Sequence, residues 1–337
     1  HGNNKSLSEI DRAVQVGVGI IVIDSLWEIP RIASAAKTHN RVQSVMLRLN
    51  PGVEAHTIEA IATAHEDVKF GLSIASGAAW KAVEAVEASA NLSLQGFHCH
   101  IGSQIFNTEG YEIAISRIIN LMAKFRDHFN RELAEFDFGG GYGIAYLPGE
   151  VSFDPDTAMA KLSGVVKKAC SDAKLAMPRI SIEPGRAISG PTTTTLYEVG
   201  TTKHIELDNG ANRHYISVDG GMSDNIRTGL YGAEYTAILA NRASNESEIS
   251  SRIVGKHCET GDIVIRDLQF ASDVKPGDLI ATPATGAYGR SMANNYNHVP
   301  KPAVIAVAEG KARLILRRET IRDLLALDVA EPGRELK

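Results

Sequence analysis

Three segments in the first part of the chain combine residue types that do chemistry. Asp137-Phe138-Gly139-Gly140-Gly141-Tyr142-Gly143 follows an apolar stretch and precedes a helical one. Consecutive glycines let backbone N–H groups approach an anion closely, and a helix N-terminus adds a favourable dipole. A tight strand-to-loop turn would have the same composition. Glu183-Pro184-Gly185-Arg186 puts a carboxylate and a guanidinium at the end of a strand, as a site pair or as a surface ion pair beside a Pro-Gly turn. In His98-Cys99-His100-Ile101-Gly102-Ser103-Gln104, an extended backbone points His98 and His100 to one face and Cys99 to the other. Zinc suits those atoms, but the usual Cys-x-x-Cys or His-Glu-x-x-His partners are absent. A packed or stacking imidazole fits better, with Ser103 as another anion contact.

Three further segments lie towards the C-terminus. Asp219-Gly220-Gly221-Met222-Ser223-Asp224-Asn225-Ile226-Arg227 is followed by Leu230-Tyr231-Gly232. This is a hairpin loop or a carboxylate clamp, because the planar fork of Arg227 can bind two oxygens. His257-Cys258-Glu259-Thr260-Gly261-Asp262 sets a thiol beside a carboxylate. Such a pair can supply an acid and a recognition anion, or the thiol can simply be buried in a turn. The phenol of Tyr288, after Gly286-Ala287, can donate to a phosphate or cap a core.

The elements needed to position these residues change character along the chain. Gly19–Asp24, Ser44–Asn50, Leu92–Ile101, Phe136–Phe138 and Arg179–Ile182 are expected as strands. Leu26–Lys37, Ala75–Ala90, Tyr111–Phe129 and Asp156–Ala173 are expected as helices. Strands separated by helices predict parallel βαβ units, with sites at the carboxyl ends of the strands. About five strands suit a doubly wound sheet, or an eight-stranded barrel lacking about three strands. After about Gly190, Thr192–Thr201, Tyr215–Asp219, Arg252–Val254, Asp262–Arg266, Leu279–Thr282 and Ala303–Ala308 are expected as strands without helices between them, which predicts an antiparallel β domain. A short helix, Thr320–Leu327, follows. The expected domains are 1–190 and 191–337.

The 337 residues are long enough for about two domains. A hydrophobic content of 44% against 22% charged excludes wholesale disorder. A net charge of -5 gives no footprint for nucleic acid or an anionic membrane surface. No apolar run approaches the roughly 18 residues of a membrane span. Three cysteines, Cys99, Cys170 and Cys258, do not make a disulfide framework, so the cytoplasm is the expected compartment.

Taken in order, these segments resemble the diaminopimelate decarboxylases, fold-type III pyridoxal-phosphate enzymes of lysine biosynthesis. The resemblance also takes in His1–Ser6, Leu47–Gly52, Lys69-Phe70-Gly71 and Asn294–Pro302, and so covers nearly the whole chain. It implies a pyridoxal-phosphate-binding TIM barrel followed by a C-terminal β domain, and a homodimer with shared active sites. It implies that His100 stacks on the pyridine ring. Ser103, Gly139, Gly140, Gly141, Pro184, Gly185 and Arg186 surround the cofactor with help from Tyr288, and Glu183 pairs with the pyridine nitrogen. Arg186, Arg227 and Tyr231 hold the distal end of the substrate. Cys258 donates the proton that replaces CO₂ and Glu259 binds a substrate ammonium, both reaching in from the partner subunit.

meso-Diaminopimelate carries two carboxylates and two ammonium groups, which suits Arg186, Arg227 and Glu259. Ornithine-type relatives place Asp after the Cys and have no distal carboxylate to hold. Decarboxylation of ornithine, arginine or a carboxylated polyamine stays open as an alternative, as does a non-catalytic cofactor-binding paralogue. One departure stands out: the family's Tyr-Ala-x-Lys-Ala-like segment with the Schiff-base lysine has no counterpart, and Lys5 and Lys69 belong to other motifs. The resemblance therefore predicts an N-terminally truncated chain, with that lysine and about three barrel strands expected upstream of His1.

Overall fold

Apolar runs of Ile, Val and Leu form the first sheet. The computed structural model describes residues 1–53 and 69–328. Its first elements are α1 (Leu7–Val16), β1 (Ile21–Ile23), α2 (Glu28–Thr38), β2 (Gln43–Asn50), β3 (Leu72–Ser73) and α3 (Ala78–Glu87). Then come β4 (Leu92–Cys99), α4 (Glu109–Phe129), β5 (Glu135–Asp137), α5 (Pro155–Asp172), β6 (Arg179–Ser181) and the short α6 (Gly185–Ser189). The strands pair in the order β1-β2-β4-β5-β6, with β3 also on β2, and every pairing is parallel.

The helices cover this sheet with one apolar stripe each. Along α4, Tyr111, Ala114, Ile115, Ile118, Ile119, Met122 and Phe125 recur at three- and four-residue spacing and are buried. Full burial of each large member contributes roughly 1.5–3 kcal/mol. Asp154 caps α5 by accepting the N–H groups of Asp156 and Thr157, and Pro155 begins the helix, where its missing N–H costs nothing. Helix α1 was not expected from the sequence. Its signal is the capping box of Ser6 and Glu9, which marks a helix start despite the polar residues before it.

The register sets the site. Arg48 on β2 lies beside His98 on β4, His98 beside Asp137 on β5, and Asp137 beside Ser181 on β6. The loops that leave these strands at their carboxyl ends therefore begin at one level. By its internal contacts the chain divides into two units, one of His1–Ile144 with Val151–Ala187, the other of Ala145–Glu150 with the chain from Ile188 on.

The second unit contains β7 (Thr195–Glu206), β8 (Asn212–Val218), α7 (Arg227–Tyr231), β9 (Ile238–Leu239), β10 (Glu248–Val254), β11 (Ile263–Ala271) and β12 (Leu279–Thr282). It continues with α8 (Gly289–Met292), β13 (Val304–Ala308), β14 (Lys311–Leu316) and α9 (Ile321–Leu324). The main sheet runs β11-β10-β8-β7-β12-β9, and β13 and β14 form a separate hairpin. All pairings are antiparallel except β8 with β10. That pair is parallel because the long connection carrying the Gly-rich loop and α7 crosses over before β10 begins. Strands β3, β9 and β14 were not expected; β3 and β9 are two residues each, too short to show alternation.

Candidate active site

In the first unit, the ends of β4, β5 and β6 bring three of the sequence motifs together. His98 is fully buried, and its Nε2 lies 3.0 Å from Glu183 Oε2. His1 Nε2 lies 3.0 Å from the other oxygen of Glu183, and the His1 and His98 rings are 5.1 Å apart. The hydrogen bond from His98 holds the Glu183 carboxyl below the usual carboxylate range, against an opposing desolvation effect. His98 Nδ1 is buried and meets no hydrogen-bond partner among the described residues.

His98 and His100 differ in exposure. Strand β4 ends at Cys99, so His100 leaves the strand register and is exposed, and its Nδ1 accepts the N–H of Gly140 at 3.3 Å. Desolvation, followed by the field of Arg48, lowers the pKa of His100. Cys99 points into the core, and burial pushes its thiol up to about 12.

The glycine loop is packed between backbones. A Cβ on Gly139 would strike the Cys99 carbonyl, one on Gly140 the Glu183 carbonyl, and one on Gly141 the Gly102 carbonyl. Gly139 and Gly141 also have φ of 71° and 111°, which side-chain-bearing residues rarely adopt. The Gly139 N–H donates to Asp137 Oδ1 at 2.7 Å and Gly140 donates to His100. Among the described residues, the Gly141 N–H meets no acceptor. The Asp137 carboxyl is raised, first by desolvation.

Beside this loop, the Glu183 N–H donates to the Gly139 carbonyl at 2.8 Å, and Arg186 Nη2 donates to Ser103 Oγ at 2.9 Å. A Cβ on Gly185 would enter open space. These features fit a phosphorylated pyridine: an open amide, a hydroxyl and a guanidinium for the anion, space at Gly185, and an ionised carboxylate for a ring nitrogen. Lys5 is committed elsewhere, since its Nζ donates to the Gly2 and Val22 carbonyls and to Glu28.

In the second unit, Arg227 is 7% exposed. Its Nη1 donates to Tyr235 Oη at 2.6 Å and Tyr146 Oη at 3.2 Å, and the Tyr288 ring lies 5.5 Å from the guanidinium carbon. Among the described residues no carboxylate pairs with it. Burial disfavours its charge, but the two phenols outweigh this and raise its pKa. Tyr231 is 66% exposed and is not among these partners.

Cys258 and Glu259 are exposed on the turn before β11. Tyr296 donates its hydroxyl to Glu259, which raises the Tyr296 pKa. Buried His257 shares a 2.9 Å hydrogen bond with Ser223. Tyr146, Tyr235 and Tyr296 were not singled out from the sequence. Tyr146 and Tyr235 lie a few residues from a motif that was and Tyr296 lies within Asn294–Pro302, but a lone Tyr carries no spacing signal.

Residues 1–190 match the family described as pyridoxal-dependent decarboxylase, pyridoxal binding domain. The parallel unit is thus part of a pyridoxal-phosphate-binding barrel, followed by a β domain. The chain is 52% identical to the diaminopimelate decarboxylase of Mycobacterium tuberculosis over 333 residues, covering 98% of this chain and 74% of that one. It is 42% identical to the Bacillus subtilis enzyme of the same name over 329 residues, with coverages of 98% and 74%. The crystal structure of M. jannaschii diaminopimelate decarboxylase in complex with L-lysine superposes with a TM-score of 0.88 at 30% identity, covering 98% of this chain and 74% of that one. The chain belongs to the diaminopimelate decarboxylase family.

Proposed function

We propose that this protein decarboxylates meso-2,6-diaminopimelate to L-lysine and CO₂ with pyridoxal phosphate, as a cytoplasmic homodimer with shared active sites. The observation that carries the choice of substrate is Arg227, a buried guanidinium with no carboxylate partner among the described residues. A buried cation without a counter-charge is costly, and a substrate carboxylate relieves that cost. Ornithine has no distal carboxylate to offer.

Pyridoxal phosphate, when bound, supplies an electron sink for the pair left behind as CO₂ departs. The chain's own groups do the rest. Gly141, Gly185, Ser103 and Arg186 would hold the phosphate beside Gly139, Gly140 and Pro184, and the family resemblance adds Tyr288 to that role. His100, whose pKa is lowered first by desolvation, would stack on the ring. Glu183, held below the usual carboxylate range by its hydrogen bond with His98, would keep the ring nitrogen protonated. Arg186, Arg227 and Tyr231 hold the carboxylate that the product retains, and Glu259 holds the distal ammonium. The Cys258 thiol gives its proton to the carbon that has lost CO₂; Cys258 and Glu259 are contributed by the partner subunit.

The test is CO₂ release and L-lysine formation from meso-diaminopimelate by the holoenzyme, against ornithine and arginine. Equal or faster turnover of ornithine would overturn the assignment. Cofactor binding without turnover of any of the three would identify a binding paralogue instead.

A further inference from the structure

We propose that Tyr146 and Tyr235 are positioning residues that set substrate choice by aiming Arg227. The inference rests on the reading of Arg227 as the partner of the retained carboxylate. Both phenol oxygens accept from the same nitrogen, Nη1, at 3.2 and 2.6 Å. That nitrogen carries two N–H bonds, so the pair saturates it. The other three donors, two on Nη2 and one on Nε, meet no acceptor among the described residues. Nε and Nη2 form one side of the planar fork and match the two oxygens of a carboxylate. The tyrosines therefore occupy one corner of the guanidinium and leave a complete bidentate edge for a ligand.

Neutral partners matter here. A carboxylate in place of either phenol would fix the arginine equally well but cancel its charge. Phenols fix the orientation and leave the charge for the substrate. The pair is rigid: the rings of Tyr146 and Tyr235 meet edge to face at 88° with centroids 5.3 Å apart, and both are buried. Local structure holds each one. Glu150 Oε2 accepts the N–H groups of Tyr146 at 2.7 Å and Leu147 at 3.0 Å, closing the turn that carries Tyr146. Helix α7 ends at Gly232, and the chain reverses there to return Tyr235 to Arg227. A site built to satisfy a hydrogen-bonding group discriminates strongly against an analogue that lacks it.

The test uses the holoenzyme with Tyr146→Phe and Tyr235→Phe, each removing one oxygen from a buried ring. Calorimetric titration compares L-lysine, which keeps the carboxylate, with cadaverine, which lacks it; KM and kcat for meso-diaminopimelate are measured alongside. Each variant is expected to lose about tenfold in lysine affinity, the effect of one hydrogen bond to a charged group. KM should rise far more than kcat falls, and cadaverine affinity should hold. Unchanged lysine affinity in both variants would overturn the proposal while leaving the Arg227 reading intact. Cadaverine affinity falling in step with lysine would also overturn it, by showing general loss of the site. A wild-type enzyme that does not prefer lysine to cadaverine would overturn the Arg227 reading and this proposal together. Either single variant suffices if the other fails to fold.

Discussion

The Asp262 carboxylate accepts the backbone N–H of Met222 at 2.6 Å across forty residues of sequence, and its second oxygen accepts the N–H of His257 at 2.7 Å. One buried side chain thus joins the loop that leads to Arg227 with the turn that carries Cys258 and Glu259. Gly255 packs so closely on Asp262 that a Cβ there would collide with the carboxylate.

Replacing Asp262 by Asn keeps the size and removes the charge and one acceptor. Hydrogen bonds to a charged group contribute about 1.5–3 kcal/mol each. Asp262→Asn should therefore lower the thermal unfolding midpoint and reduce kcat/KM for diaminopimelate together. Wild-type values for both would show that the carboxylate does not hold these loops.

Cys258 stands on that pinned turn and is assigned proton donation. A general acid typically contributes about 10²–10⁴-fold to rate. Cys258→Ala in the holoenzyme should lose turnover on that scale while binding pyridoxal phosphate normally, as read by its bound absorbance. Turnover close to that of the unaltered enzyme would remove the thiol from the mechanism.

Exposure separates the three thiols. Cys258 is exposed, whereas Cys99 and Cys170 are buried and burial raises both of their pKa values, Cys99 to about 12. Reactivity follows the accessible thiolate. Iodoacetamide at pH 8 should label Cys258 alone in the folded protein and all three in denaturant, as counted by mass spectrometry of the peptides. Labelling of Cys99 in the native state would contradict its packing beneath the Phe138 carbonyl.

His100 gives the stability a defined pH dependence. Its folded-state pKa lies below the ordinary value near 6.5. Between those two values the unfolded chain binds more protons, so stability rises with pH across that window. Its contribution is complete above about 6.5 and falls away as pH drops towards the folded value. His100→Gln should flatten that part of a denaturant-midpoint profile recorded from pH 4 to 8; a profile of unchanged slope would assign the effect to other groups.

The succession of parallel strands was legible, because the apolar run Val45–Leu49 and the alternating stretch Leu92–Phe97 are separated by amphipathic helices and turn residues. Motif glycines were legible for the same reason: Gly139–Gly141 interrupt an apolar pattern that has no other use for them. The pairing of His98 with Glu183 was not legible, since the two are 85 residues apart and meet only through the register of β4, β5 and β6. His100 shows the limit of local reasoning, because it lies one residue past the end of β4 at Cys99 and its exposure, against a buried His98, is not set by the strand pattern. The phenols around Arg227 were equally hidden, as their role comes from three-dimensional closure of the chain at Glu150 and Gly232.

The close packing of Gly139, Gly140 and Gly141 on three backbone carbonyls has a thermodynamic consequence. A mobile loop that closes on an anion loses roughly 1–2 kcal/mol of backbone entropy per residue fixed. This loop has few alternative conformations to lose, since it is wedged between the segments that follow β4 and β6. Its ordering is completed when the sheet folds, so a ligand arriving later meets amides already in place. Affinity at the loop is therefore coupled to sheet integrity. A substitution that loosens β4 or β6 should weaken anion binding without altering any atom that touches the anion.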